Sequence, residues 1–299
     1  MNKYNVKDYT YGCELEFADV EINTPLPIGC NWNKKDYSIV NSNGIANDPS
    51  GKLYNFGGEI NTKPTQTIKE QLDIIEKIIQ NLKPEPVLNY KCNLHIHIGI
   101  PNLYNDLESL KKIMRYIKTI PEEVWQVIDP IEKPDKKYFE TEEAFKAAKK
   151  RYRRNLVSHR YQLPEKRFNA VINSKNLKEF FEKHAILKNN KPLWAISPRC
   201  GINLRQIQET NTVEFRHFFG TLNIKEYESC LIWCQQFIRY ALNDLGSCNQ
   251  ILLDNPGLIF PKPIRYNHFL GQGFELTNQH SNKKEDIIKN INLLLNKKI

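Results

Sequence analysis

Residues 93 to 101, NLHIHIGIP, set two histidines two positions apart among isoleucines. In an extended strand successive side chains point to opposite faces. Asn93, His95, His97 and Gly99 therefore share one side, and Leu94, Ile96, Ile98 and Ile100 share the other. The greasy side calls for a core to cover it. The imidazole side calls for a different explanation, and other strands of the chain supply its terms.

YGCELEF (11–17), RCGINLR (199–205) and TVEFRHF (212–218) alternate in the same way, and GGEINTKP (57–64) is a further strand candidate with turn-like glycines and a closing proline. The two-residue period groups Gly12, Glu14 and Glu16. It likewise groups Arg199, Gly201, Asn203 and Arg205, and again Thr212, Glu214 and Arg216. The reverse faces carry Cys13, Leu15 and Phe17, then Cys200, Ile202 and Leu204, then Val213 and Phe215. For any one strand, a polar side turned to water is the commoner arrangement. The set argues otherwise: lysine outnumbers arginine by 32 to 11, yet the cations at 199, 205 and 216 are all arginines.

Between the strands the period lengthens. From Thr67 the spacing of Ile68, Leu72, Ile75, Ile79 and Leu82 predicts an amphipathic helix, and further helices are expected from Asp106, around 140–160, from Ser174, from Asn223 and after Ser281. Strands and helices mix without a strict alternation or a glycine fingerprint, so an α+β fold around an antiparallel sheet is expected. The segment 29–56, rich in Asn, Ser, Gly and Asp, reads as an active-site loop or irregular hairpin. A charged stretch at 129–155 reads as an inserted helical lobe whose plainest role is a solvated face.

The 299 residues, 40% of them apolar, suffice for a proper core. The net charge of +9 suits a polyanionic partner, whether nucleic acid or the phosphates of a nucleotide. Seven cysteines without a CxxC pair signal neither a disulfide framework nor a zinc knuckle. MNKYNVKDYTYG lacks the apolar run of a signal peptide, and no stretch reaches a bilayer span, so a cytoplasmic protein without membrane partners is expected.

Arginine's planar fork fits carboxylate and phosphate oxygens. Glu14, Glu16, Glu59 and Glu214 offer the hard oxygen ligands that Mg2+ or Mn2+ prefers. Acids and guanidinium groups on one face point to a metal-bound polyphosphate. A zinc site at His95 and His97 is the alternative, since paired histidines also serve metal-dependent hydrolases.

In order along about residues 10–240, GCELEF, GGEINTKP, HIHIGI, RCGINLR and TVEFRHFFGTL resemble the motifs of the amidoligase family, within the glutamine synthetase and glutamate-cysteine ligase superfamily. The resemblance implies a single catalytic domain over 1–299. In it an antiparallel sheet curves into a funnel, helices pack outside, and the inner face binds ATP and divalent ions. It implies metal ligation by Glu14, Glu16, Glu59, His95 and Glu214. It implies nucleotide contacts from His97, Asn203, Arg205 and Arg216, and catalytic roles for Glu16, Arg216 and Arg199. Departures are the loop acid, for which Asp48 is favoured over Asp36, the residues Asn61 and Lys63 where the family has small side chains, and the insertion at about 129–170. A helical tail at about 281–299 completes the expected layout.

The activity implied is ATP-dependent ligation of a carboxylate to an amine through an acyl phosphate, with substrates of unnamed identity and room for an anionic macromolecule. A metal-dependent hydrolase is one alternative. Another is a nucleic-acid binder using Tyr138, Tyr152, Arg153, Arg154 and Tyr161, whose binding would fall steeply with salt. A scaffold retained without activity would sit oddly with so many charged motif residues.

Overall fold

A computed structural model describes residues 4–21, 23–33, 39, 57–88, 92–130, 135–136, 142, 145–146, 149, 163, 165–184, 187–188, 191–192 and 201–262. Within them lie strands β1 (Thr10–Ala18), β2 (Asn31–Asn33), β3 (Gly57–Asn61), β4 (Asn93–Gly99), β5 (Leu187–Lys188), β6 (Lys191–Pro192), β7 (Ile202–Asn203) and β8 (Thr212–Phe219). Six of them form one sheet in the order β2-β3-β1-β4-β8-β7, every pair antiparallel, while β5 and β6 form a separate two-residue ladder. The fold is α+β.

The histidine strand β4 is central, as its alternation requires. Leu94, Ile96 and Ile98 are at most 1% exposed, together with Leu15, Phe17, Val213 and Phe215 from the flanking strands. Burying each such side chain is worth about 1.5–3 kcal/mol, so one face of the sheet is strongly held against a cover. That cover is helical. α1 (Ile68–Asn81), α2 (Leu107–Lys118) and the long α7 (Ile224–Asn243) pack together, with α7 also meeting β4. Phe237 of α7 lies edge-on to Phe215 at 5.7 Å and beside Tyr116 of α2 at 5.0 Å. Trp233, Cys230 and Cys234 are fully buried there, the cysteines as small apolar groups whose thiols burial raises well above their ordinary range.

Local chemistry sets the helix starts. Thr67 accepts from Glu70 N at 3.1 Å while Glu70 accepts from Thr67 N at 3.1 Å, a reciprocal cap worth about 1 kcal/mol. Asp106 and Asn223 cap α2 and α7 in the simpler way. The buried stripe of α1 is Gln71, Ile74, Ile75 and Ile78, rotated slightly from the sequence expectation, which left Ile74 and Ile78 out.

Several elements depart from the expected pattern, among them α3 (Glu122–Ile128) and α8 (Cys248–Asp254), which no expected helix covered. Asn31–Asn33, inside the segment read as a loop, is an edge strand paired to β3. Among the described residues of RCGINLR the strand spans Ile202–Asn203, and it ends there because Arg205 adopts αR geometry and leads into α6 (Gln206–Thr210). The strand at 212–219 contains a bulge: Leu94 pairs with Phe218 and Ile96 with Phe215, so Arg216 and His217 both stand opposite His95. That extra residue keeps Phe215 and Phe218 on the apolar side. Beyond the charged stretch at 129–155, α4 (Glu165–Ile172) buries Val171 and packs on α2 and on α5 (Leu177–His184).

Asp36, Asp48, Arg199, Tyr138, Tyr152, Arg153, Arg154, Tyr161 and the tail at 281–299 lie outside the described residues, as does most of 131–162. Among the described residues no helix is long and apolar enough to cross a membrane.

Candidate metal centre

Antiparallel register turns the separate polar rows of the strands into one patch. Glu14 stands opposite His95 on one side and Asn61 on the other, and Glu16 opposite Glu59. His97 stands opposite Glu214, and Glu214 opposite Asn203. Directly opposed residues have Cβ atoms about 4.5–5.5 Å apart, close enough for short polar side chains to meet.

They do meet. Glu14 binds both imidazoles, with Oε2 2.6 Å from His95 Nδ1 and Oε1 3.0 Å from His97 Nε2. Glu214 Oε1 lies 4.0 Å from His95 Nδ1 and 3.9 Å from His97 Nε2, and the same oxygen accepts from the Arg216 guanidinium. One potential ligand atom each from Glu14, His95 and Glu214 falls within 4.8 Å of the others, and so do those of Glu16, Glu59 and His95. Oxygen ligands at about 2.1 Å place opposed donors about 4.2 Å apart, so each triad is spaced to hold a divalent cation, and the two triads share His95.

Burial shows what such a cation would relieve. Glu16, Glu59, Glu214 and His95 are buried, while the side chains of Glu14 and Arg216 keep 20% and 26% of their surface and form the open side. Burial, then the charge of Glu14, raises the Glu59 carboxyl above the usual carboxylate range against the opposing pull of its amide partners. Burial also acts to raise Glu14, but the hydrogen bonds and charges of His95 and His97 win and hold its carboxyl far below that range. For His95, burial and the charge of Arg216 act downward, and contact with Glu14 overcomes them to leave the imidazole more basic than usual. Burial likewise opposes the Arg216 charge, which Glu214 more than restores.

A second ring of neutral groups fixes the acids. Asn33 and Asn61 donate to Glu59 Oε1 at 3.1 and 3.0 Å, and Asn93 donates to Glu16 Oε2 from its backbone N at 2.6 Å and from Nδ2 at 3.0 Å. Thr212 Oγ1 is 2.9 Å from His97 Nδ1, leaving Nε2 toward Glu14. Such outer partners orient ligands and set which ring nitrogen is available. The two-residue period already places Asn61, Asn93 and Thr212 in the polar rows, whereas Asn33 has no sequence signal short of knowing that β2 pairs with β3.

Eight of the residues singled out from sequence thus come together: Glu14, Glu16, Glu59, His95, His97, Asn203, Glu214 and Arg216. Asn203, expected to face a nucleotide, is fully buried, donating to Glu214 Oε2 at 2.7 Å and accepting from Arg205 N at 2.9 Å. Arg205 is displaced from the row by the end of β7, and its guanidinium lies 3.1 Å from Glu209. No protein-family model matches the chain, and no curated protein does either.

A cation held only by the folded state stabilises it by about 2.7 kcal/mol at a hundredfold excess over its dissociation constant. Mn2+ at that excess is therefore expected to raise the melting temperature by about 4 °C over protein in EDTA. Calorimetry with and without the ion checks this, and an unchanged transition would count against the centre.

Proposed function

We propose that the protein is an ATP-dependent carboxylate-amine ligase. The γ-phosphoryl group of ATP passes to the oxygen of a substrate carboxylate. An amine then attacks the acyl carbon and phosphate leaves, giving an amide, ADP and phosphate. A free carboxylate is a poor electrophile, and the mixed anhydride supplies the leaving group it lacks.

The observation that carries this reading is the meeting of Glu14, Glu16, Glu59 and Glu214 with His95, His97 and Arg216, from four strands spread over some two hundred residues of chain. The sheet then corresponds to the wall of a glutamine synthetase-like funnel, with this patch inside. Mg2+ or Mn2+ held by Glu14, Glu16, Glu59, His95 and Glu214 would neutralise charge spreading over the transferred phosphoryl oxygens.

The chain's own groups do the rest. Arg216, partly exposed and anchored by Glu214, presents fixed positive charge to the same oxygens, and one such donor is typically worth about 3 kcal/mol of barrier. His97, held through Nδ1 by Thr212, keeps Nε2 facing the patch. Asn203 acts behind Glu214 as a positioning residue. Arg199 enters from the motif order alone.

A second reading has one observation in its favour. Glu14 touches both His95 and His97, an arrangement that would also suit a zinc-dependent hydrolase. Incubating the protein with ATP, Mg2+ and pools of acids and amines, and separately with Zn2+ and a pool of amides and esters, separates the two. Mass spectrometry should find ADP and a product lighter than its parts by one water. Cleavage products formed with Zn2+ and no ATP would replace the ligase with the hydrolase.

A further inference from the structure

A cleft of about 310 Å3 opens beside the acid patch, where β1 begins and β4 ends. Asp8, Thr10, Gly12, Gly99 and Thr212 are among the residues that line it. By the strand period Gly12 lies in the row of Glu14, and Gly99 in the row of His97. The missing side chain at Gly12 helps to hollow the polar face here, whereas the space over Gly99 is filled by the Thr10 hydroxyl. His97 lines the cleft as well, with Nε2 3.0 Å from Glu14, so the cleft and the acid patch share a wall.

The lining selects the ligand by charge. Among the described residues no lysine or arginine lines the cleft, and Asp8 supplies its one carboxylate. A triphosphate entering it would find no cation, and a carboxylate would meet a like charge. An ammonium group would meet Asp8 and the hydroxyl oxygens of Thr10 and Thr212. The volume is at the small end for ligand sites, enough for a group of amino-acid size.

We infer that this cleft admits the amine substrate, as a compact primary amine or the amine-bearing end of a longer one, and brings its nitrogen past His97 to the acid patch. This rests on the ligase reading for its purpose, though the charge preference of the cleft can be measured without it.

The test is saturation-transfer NMR on the whole protein without ATP, with n-butylammonium and n-butyrate as probes. The amine should receive saturation and butyrate should not, and substoichiometric Mn2+ should broaden the amine resonances. A Cβ at Gly12 would meet only His97 Cβ, at 3.8 Å, so Gly12→Val projects into the cleft from a tolerant backbone position. It should weaken amine binding about tenfold or more. Asp8→Asn, at an exposed residue that leaves the fold alone, should weaken it about threefold. Equal saturation of both probes, preference for butyrate, binding of neither, or amine binding indifferent to Asp8→Asn would each overturn the inference. Amine binding as expected, in a protein that forms no ATP-dependent product, would overturn the ligase reading and leave the amine site standing.

Discussion

Glu16→Gln protein is expected to lose ATP-dependent product formation by about a hundredfold or more, with its metal-free melting curve little changed. The two effects separate because Glu16 does two things. Its Oε2 accepts from Asn93 N at 2.6 Å and from Asn93 Nδ2 at 3.0 Å, bonds that a glutamine carbonyl oxygen can still accept. Its negative charge, buried opposite Glu59 and spaced with His95 as a potential ligand set, is what the substitution removes. Steady-state kinetics and Mn2+ titration on the same preparation read both. Unimpaired turnover with full Mn2+ affinity would remove Glu16 from the centre. Glu214→Gln would be a less clean probe, since it also removes the carboxylate that pairs directly with Arg216.

Acid should weaken wild-type protein more than His184→Leu protein, the difference growing as pH falls from 6.5 toward 4. His184 ends α5, is 3% exposed and stacks on Phe180. Burial first, then the charges of Arg167 and Arg205, push its imidazole down to about 4. The sign follows from linkage. The folded state holds this histidine neutral while the unfolded chain protonates it near 6.5, so the unfolded state takes up the extra proton between those values. Stability from the neutral ring is complete above about 6.5 and is drained as pH falls through the window, by on the order of 3 kcal/mol at the acid end. Denaturant titrations of both proteins at pH 7 and pH 4.5 measure the difference. Parallel losses would show that His184 takes no part in the acid limb.

Legibility differed by element. The capped helices were plain in sequence because a cap and a 3.6-residue stripe are local: Thr67 with Glu70, Asp106 with Ser109 and Asn223 with Lys225 each close within a few residues. The long strands were legible because a face buried under α7 enforces strict alternation. Asn31–Asn33 was not, since a three-residue edge strand with two exposed asparagines carries no alternation to read. Arg205 was misplaced for a related reason. RCGINLR alternates well, but the turn of Arg205 into αR depends on Asn203 Oδ1 holding its N–H, and Asn203 is itself held by Glu214 across the sheet.

From the order of residues alone came the class of fold, the polar and apolar side of each long strand, and the acids, histidines and arginine worth joining. Every one of these follows from the period of the backbone, which is a local property. Only the folded sheet decided which rows adjoin, that His95 stands between two acid sets, that Asn203 braces Glu214 from behind, and that Gly12 leaves a hollow beside His97. Those outcomes depend on strand order and on register, with one bulge at Arg216 and His217 shifting it, and hydrogen bonding between distant segments is what sets both.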